Sequence, residues 1–122
     1  MNYFKLFFFS LIVFVFNNNA FSADAVKGKK LFAKCKACHN ADAPKHKIGP
    51  HLVGIVGRKA GTAEGFTKYS KDLKNSGIVW DEANLDKWLT GPKAMYPGTK
   101  MIFPGLKDAG KRADVIEYLK TK

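Results

Sequence analysis

At 122 residues the chain holds one small domain and not two. Its 21 Lys and Arg against 10 Asp and Glu give a formal net charge of +11, a balance that points to an anionic partner: an acidic protein face, a membrane or nucleic acid. The basic residues are scattered singly or in pairs rather than in a run, which argues against a nucleic-acid tail, and most of them individually need do no more than keep a small domain soluble.

The first element is not part of the folded domain. "LFFFSLIVFVF", Leu6 to Phe16, is an apolar run of eleven residues broken only by Ser10, set behind Lys5 and followed by the polar "NNNAFS". Spanning a bilayer takes ~20 apolar residues, so the run is short for a membrane anchor, the competing reading, and has the pattern of a secretory signal peptide. Ala20 and Ser22 supply the small-x-small signature, which predicts a leader over residues 1–22 and a mature domain over 23–122. Cuts after Ala20 or Ala23 are the alternatives. Removal of the leader takes Lys5, no acidic residue and seven of the ten Phe, leaving a charge of +10.

An amphipathic helix is predicted from roughly Asp24 to Lys36, where Val26, Leu31, Phe32 and Cys35 recur among lysines. It runs into "LFAKCKACHNADAP", which holds the only two cysteines, Cys35 and Cys38, with His39 directly behind. On a helix end these three would face one side. Four chemistries compete for them. A disulfide would close too small a loop to stabilise much. A thioredoxin-like redox pair needs a βαβ context, and none is seen. Zinc could recruit His46 and His51 to the two thiols, although the gap from Cys38 to His46 is short for that type of site. C-x-x-C-H is also the pattern for covalent attachment of a c-type haem.

Asn40 to Lys59, with Pro44, Gly49, Pro50, Gly54 and Gly57, reads as loop and turn. A short helical piece is predicted around Thr67 to Asn75. A second clear helix is predicted over Glu82 to Thr90, capped by Asp81, carrying Leu85, Trp88 and Leu89 at i, i+3, i+4, and stopped by Gly91-Pro92. A third is predicted from about Lys107 to Lys120, its apolar side built from Ala113, Val115, Ile116 and Leu119. No repeat or strand-like alternation stands out. The class is therefore all-α with long loops, and loops this long in so small a domain need something inside to wrap around. Of the three methionines, Met1 leaves with the leader. Met101 sits in "YPGTKMIFPG" between two Pro-Gly turns, and Met95 lies six residues earlier as an internal control.

Taken together these segments resemble class I cytochrome c, of the bacterial c2 and mitochondrial kind, along essentially the whole mature domain and in the family's order. "GKKLFAKCKACH" resembles the first helix and attachment site, and "HKIGPHLVGIVGRKAGTAEGF" the loop beneath the haem. "NSGIVWDEANLDKWL" resembles the stretch with the propionate-binding Trp, "GPKAMYPGTKMIFPGL" the methionine-ligand loop, and "RADVIEYL" the C-terminal helix. The resemblance implies a cytochrome c fold, three main helices plus long loops around one haem c joined by thioethers to Cys35 and Cys38. His39 and Met101 would be the iron ligands, with the Pro50 carbonyl accepting the His39 Nδ1 proton. Arg58 and Trp80 would hold a buried propionate together with Tyr69, Gly28 would let the terminal helices cross against Tyr118, and Phe103 would cover the haem edge.

There are departures. Trp88 stands where many members have a Tyr beside the methionine sulfur, and an indole N–H donates but cannot accept. Leu73 stands where many have an Asn near the propionates. The implied function is a monomeric, non-enzymatic periplasmic electron carrier between membrane redox complexes: a bc1-type donor, and an oxidase, peroxidase or reaction centre as acceptor. Lys34, Lys47, Lys93, Lys100 and Lys107 would ring the haem edge. The competing function is a haem peroxidase or gas-binding protein with a labile Met101, for which the sequence supplies no distal acid–base pair.

Overall fold

The computed structural model describes residue 13 and residues 22–122, so the leader predicted over 1–22 lies, apart from Val13 and Ser22, outside the described residues. Among the described residues five α-helices follow one another: α1 (Ala25–Phe32), α2 (Lys71–Lys74), α3 (Glu82–Thr90), α4 (Pro92–Met95) and α5 (Ala109–Lys120). Long irregular segments join them, and among the described residues no strand forms beyond one isolated antiparallel bridge, Lys59 to Val79. The all-α expectation holds.

Helix starts follow side-chain capping. Asp24 Oδ1 accepts the Val26 and Lys27 N–H groups at 2.8 and 3.2 Å, Asp81 Oδ1 accepts Asn84 N–H at 2.8 Å, and Asp108 Oδ1 accepts Lys111 N–H at 2.9 Å. Each cap satisfies an N–H that has no partner within the helix. α3 has the predicted bounds. α1 is shorter than expected: it tightens into a 3-10 turn over Ala33–Cys35, and α5 begins two residues later than predicted, at its cap. The 67–75 piece is a single turn, with the buried Ser70 Oγ accepting Leu73 N–H at 3.3 Å. α4 was not predicted. Pro92 ends α3 and also sits at the first position of a new helix, where its missing N–H costs nothing.

The frame is the crossing of α1 and α5. Phe32 and Tyr118 pack with ring centroids 5.3 Å apart, and Asp24 N–H donates to the buried Asp114 Oδ1 at 2.8 Å. α3 joins α5 through Arg112, whose Nε donates to Asp86 Oδ1 at 2.6 Å and whose Nη1 donates to the Leu106 and Lys107 carbonyls, both at 2.9 Å. That one guanidinium ties α3, α5 and the end of the 96–107 loop together. Phe32, Leu85, Trp88, Leu89, Val115, Ile116 and Leu119 form the buried core between the three helices.

Candidate functional site

The helix frame surrounds a cavity of about 440 Å³ whose wall is mainly apolar. Cys35, Cys38, His39 and Met101 all line it. The Cys35–His39 segment is short-range in construction: after the 3-10 turn, the Cys38 and His39 N–H groups both donate to Cys35 O, at 3.1 and 2.9 Å. No disulfide joins Cys35 to Cys38, and burial pushes the Cys35 thiol up, with Cys38 adding to the shift and Lys34 opposing it.

His39 is fixed from the loop that follows. Gly49 N–H donates to Cys38 O at 2.8 Å and Leu52 N–H to Asn40 O at 2.8 Å, which folds residues 49–52 back under the ring. His39 Nδ1–H then donates to Pro50 O at 2.7 Å, leaving Nε2 as the nitrogen with a lone pair to give. Burial lowers the His39 pKa, the Pro50 bond partly opposes this, and the Arg58 charge reinforces it. A neutral imidazole is the form that ligates a metal. Gly49 is required by contact: a Cβ there would come within 2.3 Å of His39 Cε1.

A second wall is assembled by the isolated bridge. Trp80 N–H donates to Arg58 O at 2.8 Å and Gly57 N–H donates to Trp80 O at 2.8 Å, which sets Arg58 and Trp80 side by side across 22 positions of sequence. Arg58 Nη2 donates to His51 O at 2.9 Å, and among the described residues no carboxylate pairs with this guanidinium. Tyr69 completes the wall; its hydroxyl accepts Ala63 N–H at 3.1 Å and its ring meets Phe66 edge-on at 4.8 Å. Trp80 and Trp88 pack at 5.4 Å, and both are buried and line the cavity. Leu73 also lines it.

The remaining predicted residues divide. Met101 and Phe103 line the cavity, whereas Met95 packs on the core from α4 and does not. Lys34 and Lys100 stand at the cavity with the exposed Ile48 and Ile102, the latter 98% exposed. Lys47, Lys93 and Lys107 do not line it. Lys47 Nζ is held on Lys36 O at 2.8 Å and Lys107 Nζ on Thr90 O at 3.3 Å, while Lys93 is exposed on α4. The His46 and His51 rings stack with centroids 5.2 Å apart, and neither lines the cavity that Cys35 and Cys38 line. His46 Nε2–H donates to Glu64 O at 2.7 Å and Nδ1 accepts His51 N–H at 3.1 Å, so both ring nitrogens are engaged in bridging loops. Burial, then Arg58, then His46 hold the His51 pKa below its ordinary value. Sequence reasoning did not single out Phe66, Lys68 and Thr99 as cavity residues; they are brought there by loops whose course no local pattern encodes.

Comparison with known proteins agrees with this architecture. The family model described as Cytochrome c matches residues 25–122. The chain is 50% identical over 110 residues to "Cytochrome c2" of Rhodomicrobium vannielii, covering 88% of this chain and 87% of the relative. It is 52% identical over 99 residues to "Cytochrome c2 iso-2" of Magnetospirillum molischianum, covering 81% and 98%. Among solved structures it is similar to cytochrome cH from Methylobacterium extorquens, with a TM-score of 0.77 at 53% identity over 82% of this chain and all of that one. A family match spanning every described helix, joined to relatives of this identity along nearly their whole length, places the chain in the cytochrome c family, among the class I members.

Proposed function

We propose that this protein is a one-electron carrier with a single haem c, attached through Cys35 and Cys38 and ligated by His39 and Met101, and that it works in the periplasm after loss of residues 1–22. The observation that carries the reading is the convergence of two thiols, a tautomer-fixed imidazole and a thioether on one apolar cavity. The residues fit the group. The wall is largely hydrocarbon, as a macrocycle requires, and Arg58 offers a half-buried cation without a carboxylate of its own to the acidic side chains a haem carries. When bound, the haem supplies reversible one-electron chemistry at its iron.

The polypeptide supplies the rest. His39 and Met101 would together occupy the two positions at which a bound haem could take a further ligand, the setting of a carrier rather than a catalyst. The Pro50 bond holds the imidazole in one orientation, which would let a bound haem change oxidation state with little movement of this side chain. Among the described residues no helix is long and apolar enough to cross a membrane. The test is attachment. The mature protein is expected to gain the mass of one haem, to show no free thiol, and to keep its colour through denaturation and acid–organic extraction. Cys35→Ala with Cys38→Ala should lose all three properties; an extractable pigment in the unaltered protein would overturn the reading.

Partners would approach where Lys34, Lys100, Ile48, Ile102 and Phe103 meet at the cavity mouth, with Lys47, Lys93 and Lys107 contributing to the wider positive field. Acidic faces of a bc1-type donor and of an oxidase, peroxidase or reaction centre fit that surface. Each exposed lysine alone is worth little in an ion pair, but together they steer encounter, an effect screened over a Debye length of ~8 Å at physiological ionic strength. Lys34→Glu with Lys100→Glu is expected to slow second-order electron transfer with an acidic partner by roughly tenfold or more at low salt. The difference should shrink as salt rises, and the spectrum should be unchanged. Lys59→Glu with Lys74→Glu changes the charge equally at positions that do not line the cavity, and should do much less. Lys120 would be a poor control, since it is paired with Glu82 and Glu117. Equal slowing by both pairs would mean that net charge alone matters.

A further inference from the structure

The loop that presents Met101 has little to hold it. Its internal bonds are local: Thr99 N–H to Tyr96 O at 3.0 Å and Met101 N–H to Thr99 Oγ1 at 3.2 Å. Its far end is anchored where Leu106 N–H donates to Leu89 O at 2.7 Å and Arg112 grips the Leu106 carbonyl. Across residues 97–105, among the described residues, one hydrogen bond reaches another segment: Gly98 N–H donates to Asp72 Oδ2 at 2.9 Å. The fit is close, because a Cβ on Gly98 would stand 2.5 Å from that same oxygen.

Asp72 belongs to α2, the single turn whose N-cap Ser70 is buried and whose Leu73 lines the cavity. Leu73 is apolar and cannot hydrogen-bond to the loop. Its neighbour on the outer side of the same turn can, and the bond is assisted by the carboxylate charge. We propose that Asp72 is a positioning residue for Met101: by holding the Gly98 N–H three residues before the thioether, it sets how readily the loop lifts the sulfur out of the cavity. The proposal rests on the reading that Met101 is the distal ligand. α2 thereby acts on both sides, closing the cavity with Leu73 and latching the ligand loop with Asp72.

The experiment titrates the ferric holoprotein with imidazole, whose nitrogen takes the iron position that the Met101 sulfur gives up, and follows loss of the thioether-to-ferric charge-transfer band. Opening of the loop precedes exchange, so a weaker latch raises the apparent imidazole affinity. Asp72→Ala removes one charge-assisted hydrogen bond and is expected to raise that affinity about threefold to tenfold. Asp72→Asn keeps an acceptor oxygen and should stay within about twofold of the unaltered protein, less than the loss of a whole bond. Glu64→Gln, which removes a charge from an exposed side chain elsewhere, should change nothing. Amide hydrogen exchange supplies the second readout. Asp72→Ala should accelerate Gly98 while leaving Lys74 and Asn75, the amides of α2 that donate to Ser70 O and Lys71 O, as they were. Unchanged imidazole affinity and unchanged Gly98 exchange in Asp72→Ala would overturn the proposal. So would an Asp72→Asn effect as large as that of Asp72→Ala with faster exchange at Lys74 and Asn75, since the charge would then be acting on α2 itself. A charge-transfer band missing from the unaltered protein would instead overturn ligation by Met101, a failure distinguishable from the others.

Discussion

Met101→Ala is expected to abolish the thioether-to-ferric charge-transfer band and to lower the midpoint potential by an amount on the order of 0.1 V or more, within the roughly 0.8 V range over which axial ligands set haem potentials. The sign follows from the ligand. A thioether is soft and uncharged and favours the ferrous state; water or a nitrogen base in its place favours ferric iron. The geometry supplies the control. Met101 is half-buried at the cavity wall, its N–H held by Thr99 Oγ1 at 3.2 Å. Met95 has the same side chain but rides on α4 and packs into the core, away from the cavity. Met95→Ala should therefore leave band and potential in place, with at most a loss of stability from the vacated volume. A protein that loses the band with Met95→Ala and keeps it with Met101→Ala would reverse the ligand assignment.

What could be read from the sequence divides along the range of the contacts. α3 was legible to the residue because both its signals are local: the Asp81 cap, and Gly91-Pro92 at the end. The clustering of Cys35, Cys38 and His39 was legible for the same reason, since they lie within five positions and their backbone closes on Cys35 O. α4 was missed because Pro92 reads equally as the end of one helix and the start of the next. The pairing of Arg58 with Trp80 depends on a bridge one residue pair long, too short to print an alternation. Family resemblance, not any local pattern, pairs those two residues in the sequence. The seat of Gly49 on the His39 ring and the latch from Asp72 to Gly98 were invisible, because each is a contact between loops set by the fold as a whole. Charge shows the same division. The count of lysines pointed to an anionic partner, but only the fold separates Lys34 and Lys100 at the cavity from Lys120, which is spent on Glu82 and Glu117.

Gly28→Ala is expected to destabilise the protein by on the order of 2 kcal/mol, the sum of opposed effects in which packing wins. Gly28 lies in α1, and by helix propensity alone Ala should help there by about 1 kcal/mol. It also lies where α1 crosses α5. A Cβ at this position would come within 1.9 Å of Asp114 O and 2.5 Å of Asp114 C, with Tyr118 Cβ at 2.9 Å. Two of the three obstacles are backbone atoms, so no change of rotamer clears the way and the helices must separate. Separation strains the Phe32–Tyr118 contact and the Asp24–Asp114 bond together, because both cross the same seam. For a domain near 100 residues, 1 kcal/mol corresponds to about 4–8 °C in Tm, so a fall on the order of 10 °C is the expected reading. Lys29→Ala, on an exposed position of the same helix, should stay within about 0.5 kcal/mol. Denaturant unfolding of the holoprotein measures both variants. A Gly28→Ala protein as stable as the unaltered one would mean that α5 can yield at Asp114, and that the close crossing is not what holds α1, and with it the Cys35–His39 segment, in place.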